Sequence, residues 1–163
     1  MEVFQMSGEI TSFPYIKKAK YTKDFSWGFY CIKLKEQADK WAYIHNGRIV
    51  NVYDYKENKE LRIKKFDDIS DKWLDFVVFC RSGNVHSYDI VEGPMADDTI
   101  WNYIEDFMDG KIDREQFFVM LKFKHPTHQI SFHTLKALEC LEFIRSEVVW
   151  VIKKKMIYFI YVP

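Results

Sequence analysis

Apolar residues recur along the chain at two periods, and the switches between them mark out the elements. Over Glu36–Asn46, Ala38, Trp41, Ala42 and Ile44 fall near helical spacing, and Gly47 is placed to close the helix because it tolerates positive φ. In Asp71–Arg81 the residues Trp73, Leu74, Val77 and Val78 form one stripe, with Ser70 as N-cap and Gly83 as terminator. A third helix opens at Asp97 or Asp98. Its Ile100, Tyr103, Ile104 and Phe107 stand at i, i+3, i+4 and i+7, and Gly110 ends it. Asp113 with Gln116 reads as a capping box for a helix over Arg114–Phe123, limited by Pro126, and Thr134 caps a last helix predicted over Leu135–Arg145. Between these lie strand patterns: Phe29–Leu34, Ile49–Tyr55, Leu61–Phe66, His86–Val91 and Gln129–His133. Strands interleaved irregularly with helices predict an α+β fold, a mixed or antiparallel sheet with helices packed on it, rather than a doubly wound one.

Composition and charge refine this picture. At 163 residues the chain is sized for one domain. Lys plus Arg and Asp plus Glu both number 24, so net charge offers no long-range attraction to nucleic acid or to an acidic membrane. Fourteen Phe, ten Tyr and five Trp exceed what a core of this size needs, so some rings should line a groove or interface. Cys31, Cys80 and Cys140 lack disulfide or zinc spacing and predict free thiols in a reducing compartment. The first ten residues contain Glu2 and Glu9 and no signal-like apolar core, which favours the cytoplasm. The apolar segment Val148–Val162 is interrupted by Lys153, Lys154 and Lys155, too short on either side to span a bilayer; it suits an edge strand or an interaction segment.

Candidate chemistry is sparse. No phosphate-binding glycine loop, nucleophile elbow or zincin motif occurs. His125, His128 and His133 flank Pro126 without a neighbouring carboxylate, which favours ordinary histidines over a metal set. Cys31 sits in a predicted strand with no base beside it, which argues against a nucleophile. Asp97 and Asp98 suit helix capping, with acceptor recognition as the other reading. More distinctive is Asp24-Phe25-Ser26-Trp27-Gly28-Phe29-Tyr30, followed by Gln37-Ala38-Asp39-Lys40-Trp41-Ala42. A glycine leading into an aromatic pair, then a helix carrying a tryptophan, builds either the two walls of a slot for a flat ring or a core corner.

These two segments, together with Tyr88–Asp98 and the run from His128 to Leu138, resemble the small bacterial domain family of unknown function 3990, which is placed with the ADP-ribosyltransferases. The resemblance covers about residues 1–147 and leaves 148–163 as a tail. It implies a split sheet that grips NAD as substrate and a triad usually written His-Tyr-Glu. By that resemblance Tyr30 is the triad tyrosine that stacks on nicotinamide, Trp41 the aromatic on the other side of the ring, and Gln129 the third member, as in a branch with Gln for Glu. The first motif departs from the family: Gln5 stands at the histidine position and Met6 at the glycine, in Val3-Phe4-Gln5-Met6-Ser7. The implied catalytic set is therefore Gln5, Tyr30 and Gln129, with Gln5, Met6, Ser7, Gly28, Phe29, Tyr30 and Trp41 binding the nucleotide. The implied activity is NAD-dependent ADP-ribosyl transfer, toxin-like, to an unspecified acceptor or to water, with a small antitoxin as partner. Without a carboxylate or histidine, a degenerate module that binds NAD, another nucleotide or a protein is the alternative.

Overall fold

The computed structural model describes residues 1–18, 23–44, 48–122, 124, 126–152 and 155–161, with the backbone alone beyond residue 150. Among the described residues, eight strands form one mixed sheet: β1 (Glu2–Ser7), β2 (Phe29–Ile32), β3 (Ile49–Tyr55), β4 (Ile63–Lys65), β5 (Ile90–Pro94), β6 (His128–Phe132), β7 (Leu141–Ile152) and β8 (Lys155–Tyr161). Their order is β4-β5-β6-β2-β1-β3-β7-β8, antiparallel throughout except for the parallel β4–β5 pair. The helices are α1 (Lys35–Ile44), α2 (Asp71–Arg81), α3 (Asp98–Met108), α4 (Arg114–Leu121) and the short α5 (Leu135–Leu138). The sheet is continuous, but its middle is narrow. Between β1 and β2 a single register pair joins the halves, Phe4 with Ile32, whereas β1 and β3 run in register from Glu2–Asp54 to Ser7–Ile49.

Strand alternation sorts the core. Val3, Phe29, Cys31, Tyr53, Ile90, Ile130 and Phe132 face one side, where Ala137 and Leu138 of α5 and the neighbouring Ile16 cover them. The other face is covered in two pieces. Ala38 and Ala42 of α1 pack on Phe4, Val50, Val52 and Val149. Trp73, Leu74 and Val77 of α2, Ile100 and Ile104 of α3, and Phe117 and Leu121 of α4 pack with Val91, Phe25 and Phe66. Because period-2 alternation puts Tyr30 and Ile32 on the side of their cross-strand neighbours Ser131 and Phe4, both helix groups lie over the same face. A cleft is left between them, above the narrow joint.

The local signals behave as expected in most helices. Ser70 Oγ accepts from Trp73 N, Asp97 from Thr99 N and Ile100 N, and Asp113 and Gln116 form the reciprocal capping box. Gly83 and Gly110 take positive φ, at 88° and 72°. Other expectations are corrected. The helix predicted over Leu135–Arg145 ends at Leu138, and Leu141–Ile152 is a strand paired with β3. Its sequence alternates well enough for a strand, and β3 needs a partner on its free side; tertiary pairing overrides the cap-driven helix signal. Ile144 is the extra residue at a bulge, where Phe143 pairs with Tyr53 and Arg145 with Val52. The strand predicted over His86–Val91 shifts to Ile90–Pro94, and Leu61–Phe66 shortens to Ile63–Lys65. Ile44, assigned to the apolar face of α1, is 58% exposed. Gly47, Phe123 and His125 lie outside the described residues. Residues 155–161 form the edge strand β8, paired with β7.

Candidate functional site

The cleft over the β1–β2 joint is a cavity of about 480 Å³. Met6, Ser7 and Gly8 from the end of β1, Tyr30 and Ile32 from β2, Trp41 from α1, Gln129 from β6, Asp24 from the loop before β2, and Met95, Ala96, Asp98 and Trp101 from the β5–α3 connection and α3 line it. Its volume lies within the range of small-molecule sites, and its chemistry is aromatic walls with a few polar groups. Of the residues singled out from the sequence, Met6, Ser7, Tyr30, Trp41 and Gln129 come together here.

Gln5, Gly28 and Phe29 do not line it. Alternation in β1 sends Gln5 to the opposite face from Phe4 and Met6, where its Oε1 accepts from Asn51 Nδ2 at 2.7 Å. Asn51 is the centre of a saturated buried cluster: it also donates to Glu9 O and accepts from Thr11 N and Ser146 Oγ. Phe29 is core, edge-on to Tyr53 at 5.5 Å. Gly28 is required by a different neighbour than a ligand. A Cβ there would stand 2.9 Å from both His133 Nδ1 and Phe132 O, so the glycine lets the strand entry press against β6.

Tyr30 is held at its hydroxyl by two bonds. Its hydroxyl donates to Ser26 O at 2.5 Å and accepts from Phe25 N at 3.2 Å, which ties the ring to a tight turn where Ser26 N bonds Lys23 O and Ser26 adopts φ 71°. Burial, with the Asp24 charge added, holds this phenol well above its ordinary pKa, so it is a hydrogen-bonding group rather than an acid. Lys23 Nζ stands over the ring at 4.6 Å. Behind it, His133 donates from Nδ1 to Trp27 O and meets Ser131 Oγ through Nε2 at 2.8 Å. Burial pushes His133 down to about 4, which makes it the neutral partner of Ser131 near neutrality. Cys31 is buried and its thiol is pushed up by desolvation, which removes it as a nucleophile. Among the described residues no group of three potential metal ligands occurs; His128 opens β6 and lines a separate hollow, while His133, just past the strand, bonds Trp27 O and Ser131 Oγ.

Gln129, expected at the site, sits on a polar floor whose charged pair, Asp24 and Arg81, was not expected from the sequence. Asp24 and Gln129 are both buried, and Gln129 Nε2 donates to Asp24 Oδ2 at 2.9 Å, as does Ala96 N. Asp24 Oδ1 takes Arg81 Nη2 at 2.5 Å. The guanidinium, itself buried, lies 3.6 Å from the centre of the Trp101 ring and reaches Glu105 at 3.5 Å. Trp101 was legible in one respect: it stands off the apolar stripe of α3, and a tryptophan on the far side of an amphipathic helix asks for a role. The Asp24–Arg81 pair had no such signal, since the two are far apart in the chain.

This is an α+β domain with a mixed sheet and one cleft between two helix groups on a single face. The chain belongs to the protein family of unknown function DUF3990, whose model matches residues 1–143. No curated protein and no solved structure matches the sequence. Among the described residues, no helix is long and apolar enough to cross a membrane.

Proposed function

We propose that the chain is a toxin-like NAD-dependent ADP-ribosyltransferase, with NAD as substrate and an ADP-ribosyltransferase-like fold, acting at the cleft over the β1–β2 joint. The observation that supports this reading most is that Tyr30, Trp41 and Gln129, taken from three separate elements, line one cavity of about 480 Å³ with two methionines and a second tryptophan. The nicotinamide of NAD is a flat cation, and aromatic walls with carboxylates nearby suit such a ring. In this reading Tyr30 and Trp41 flank the ring, and Gln129 accepts a hydrogen bond from a ribose hydroxyl. The bond from ribose to nicotinamide breaks with its electron pair leaving on the ring nitrogen. Asp24, at the cavity floor, favours the positive charge that develops on the sugar. A nucleophile, on an acceptor or water, then closes on the ribose carbon and gives up its proton to solvent. Three buried free thiols suit a reducing compartment, and the cytoplasm is proposed with a small antitoxin-like protein as partner.

The alternative, a module that binds NAD, another nucleotide or a protein without turnover, has its own support. Gln5 is engaged with Asn51 on the other face, and the Asp24 carboxylate is already paired with Arg81, so less unbalanced charge is available to a transition state. One experiment separates the two. Protein incubated with NAD should release free nicotinamide, and Tyr30→Ala should abolish release; binding seen by calorimetry without release selects the alternative, and absence of binding removes both nucleotide readings.

A further inference from the structure

Gln129 is uncharged at a place where a charge would serve the chemistry, and its surroundings explain why. Its Nε2 lies 2.9 Å from Asp24 Oδ2. A carboxylate can only accept, so this contact is an N–H···O bond in one orientation of the amide, and Oε1 is the end left for the cavity. Asp24 cannot turn away, because Ala96 N holds the same oxygen and Arg81 the other. Both side chains are buried, at 6% and 5% exposure, so the orientation is not averaged by solvent. We propose that Asp24 is a positioning residue that locks the Gln129 amide with its carbonyl toward the cavity, making Gln129 an obligate hydrogen-bond acceptor for a donor group of the ligand. Asp24 and Gln129 then act as a unit, with the charge on Asp24 and the contact made by Gln129. For the ligand this rests on the NAD reading above; for the orientation it does not.

The same geometry makes Gln129→Glu informative. The charged groups around that position are Asp24 and Lys23 from the loop, Arg81 from α2, and Asp98 and Glu105 from α3, with the Tyr30 phenol beside them. A second carboxylate at hydrogen-bond distance from Asp24 is disfavoured as an anion, so the carboxyl introduced by Gln129→Glu should titrate above its unfolded value. Protonated, that carboxyl imitates the amide: its O–H donates to Asp24 and its C=O faces the cavity. The variant should therefore fold about as well as the wild type near pH 4.5. It should lose stability relative to it as pH rises to the elevated pKa, roughly a hundredfold in the folding constant for a shift of about two units. A variant whose stability gap to the wild type is independent of pH, or narrows as pH rises, overturns the inference.

Side-chain NMR of the wild type decides the matter without a substitution. The Gln129 amide protons should be displaced from the free-amide position and slow to exchange, and amide protons at the free position in fast exchange overturn the lock. Titration with NAD should then move the Gln129 side-chain carbonyl carbon and leave the protons bound to Asp24 in place; movement of those protons instead overturns it. If NAD causes no shift at all and calorimetry shows no binding, the NAD reading falls, and the pH and exchange results still decide the role of Asp24.

Discussion

Replacing Arg81 by Met tests whether the cavity floor and the core are one structure. The guanidinium is buried, makes a 2.5 Å bond to the equally buried Asp24, and stacks at 3.6 Å on Trp101. Methionine keeps much of the side-chain volume, so packing loss is small and the effect is electrostatic. Breaking a buried pair from one side leaves an uncompensated charge and costs about 3–5 kcal/mol. For a chain of this size that is a fall in Tm of roughly 6–20 °C, at about 2–4 °C per kcal/mol. Arg81→Met combined with Asp24→Asn removes both charges and should recover at least half of that loss, because the orphaned carboxylate dominates it. Arg81→Lys keeps the charge without the flat stack and should fall between. Thermal melts followed by circular dichroism, at one pH and salt concentration, measure all three. If the single and double variants melt together, or Arg81→Met costs under about 1 kcal/mol, the pair is not a buried electrostatic unit and the account of the cavity floor is wrong.

Other outcomes follow from the same geometry. Trp41→Ala and Tyr30→Ala should each weaken NAD binding by about tenfold or more in calorimetry, since each removes one aromatic wall worth about 1–3 kcal/mol; unchanged affinity in both removes the ring slot. Gln5→Ala should leave NAD affinity within about twofold and instead cost roughly 1 kcal/mol in urea melts through the loss of its bond to Asn51, because Gln5 faces away from the cavity. A large affinity loss would mean that β1 is placed in the wrong register. Gly28→Ala should destabilise by about 1–3 kcal/mol from overpacking against His133 and Phe132, with ligand affinity preserved if the fold holds. His133 is held at about 4 in the folded chain, below its unfolded value, so the unfolded state takes up the proton first. Stability should be complete above about pH 6.5 and fall as pH drops toward 4, by roughly 2–3 kcal/mol from this group. Paired melts at pH 7 and 4.5 should show that slope in the wild type and a reduced one in His133→Gln.

What the sequence alone determined was local. The caps at Ser70, Asp97 and Asp113 and the terminators Gly83 and Gly110 bounded α2, α3 and the start of α4, because a cap is a bond between residues two or three apart and its partners are printed side by side in the chain. The aromatic excess predicted a lined groove, and the segments around Tyr30 and Trp41 located two of its walls. What required tertiary structure was everything that depends on a partner distant in sequence. Residues 141–152 became a strand because β3 offers them a ladder, a reward that a window on local pattern does not contain. Gln5 and Met6 look interchangeable as neighbours in a motif, yet the pleat of a paired strand sends one to Asn51 and the other to the cavity. Asp24, Arg81 and Gln129 are 57 and 48 residues apart along the chain. Only burial makes their charges and amides answer to one another, since water screens such groups until the fold removes it.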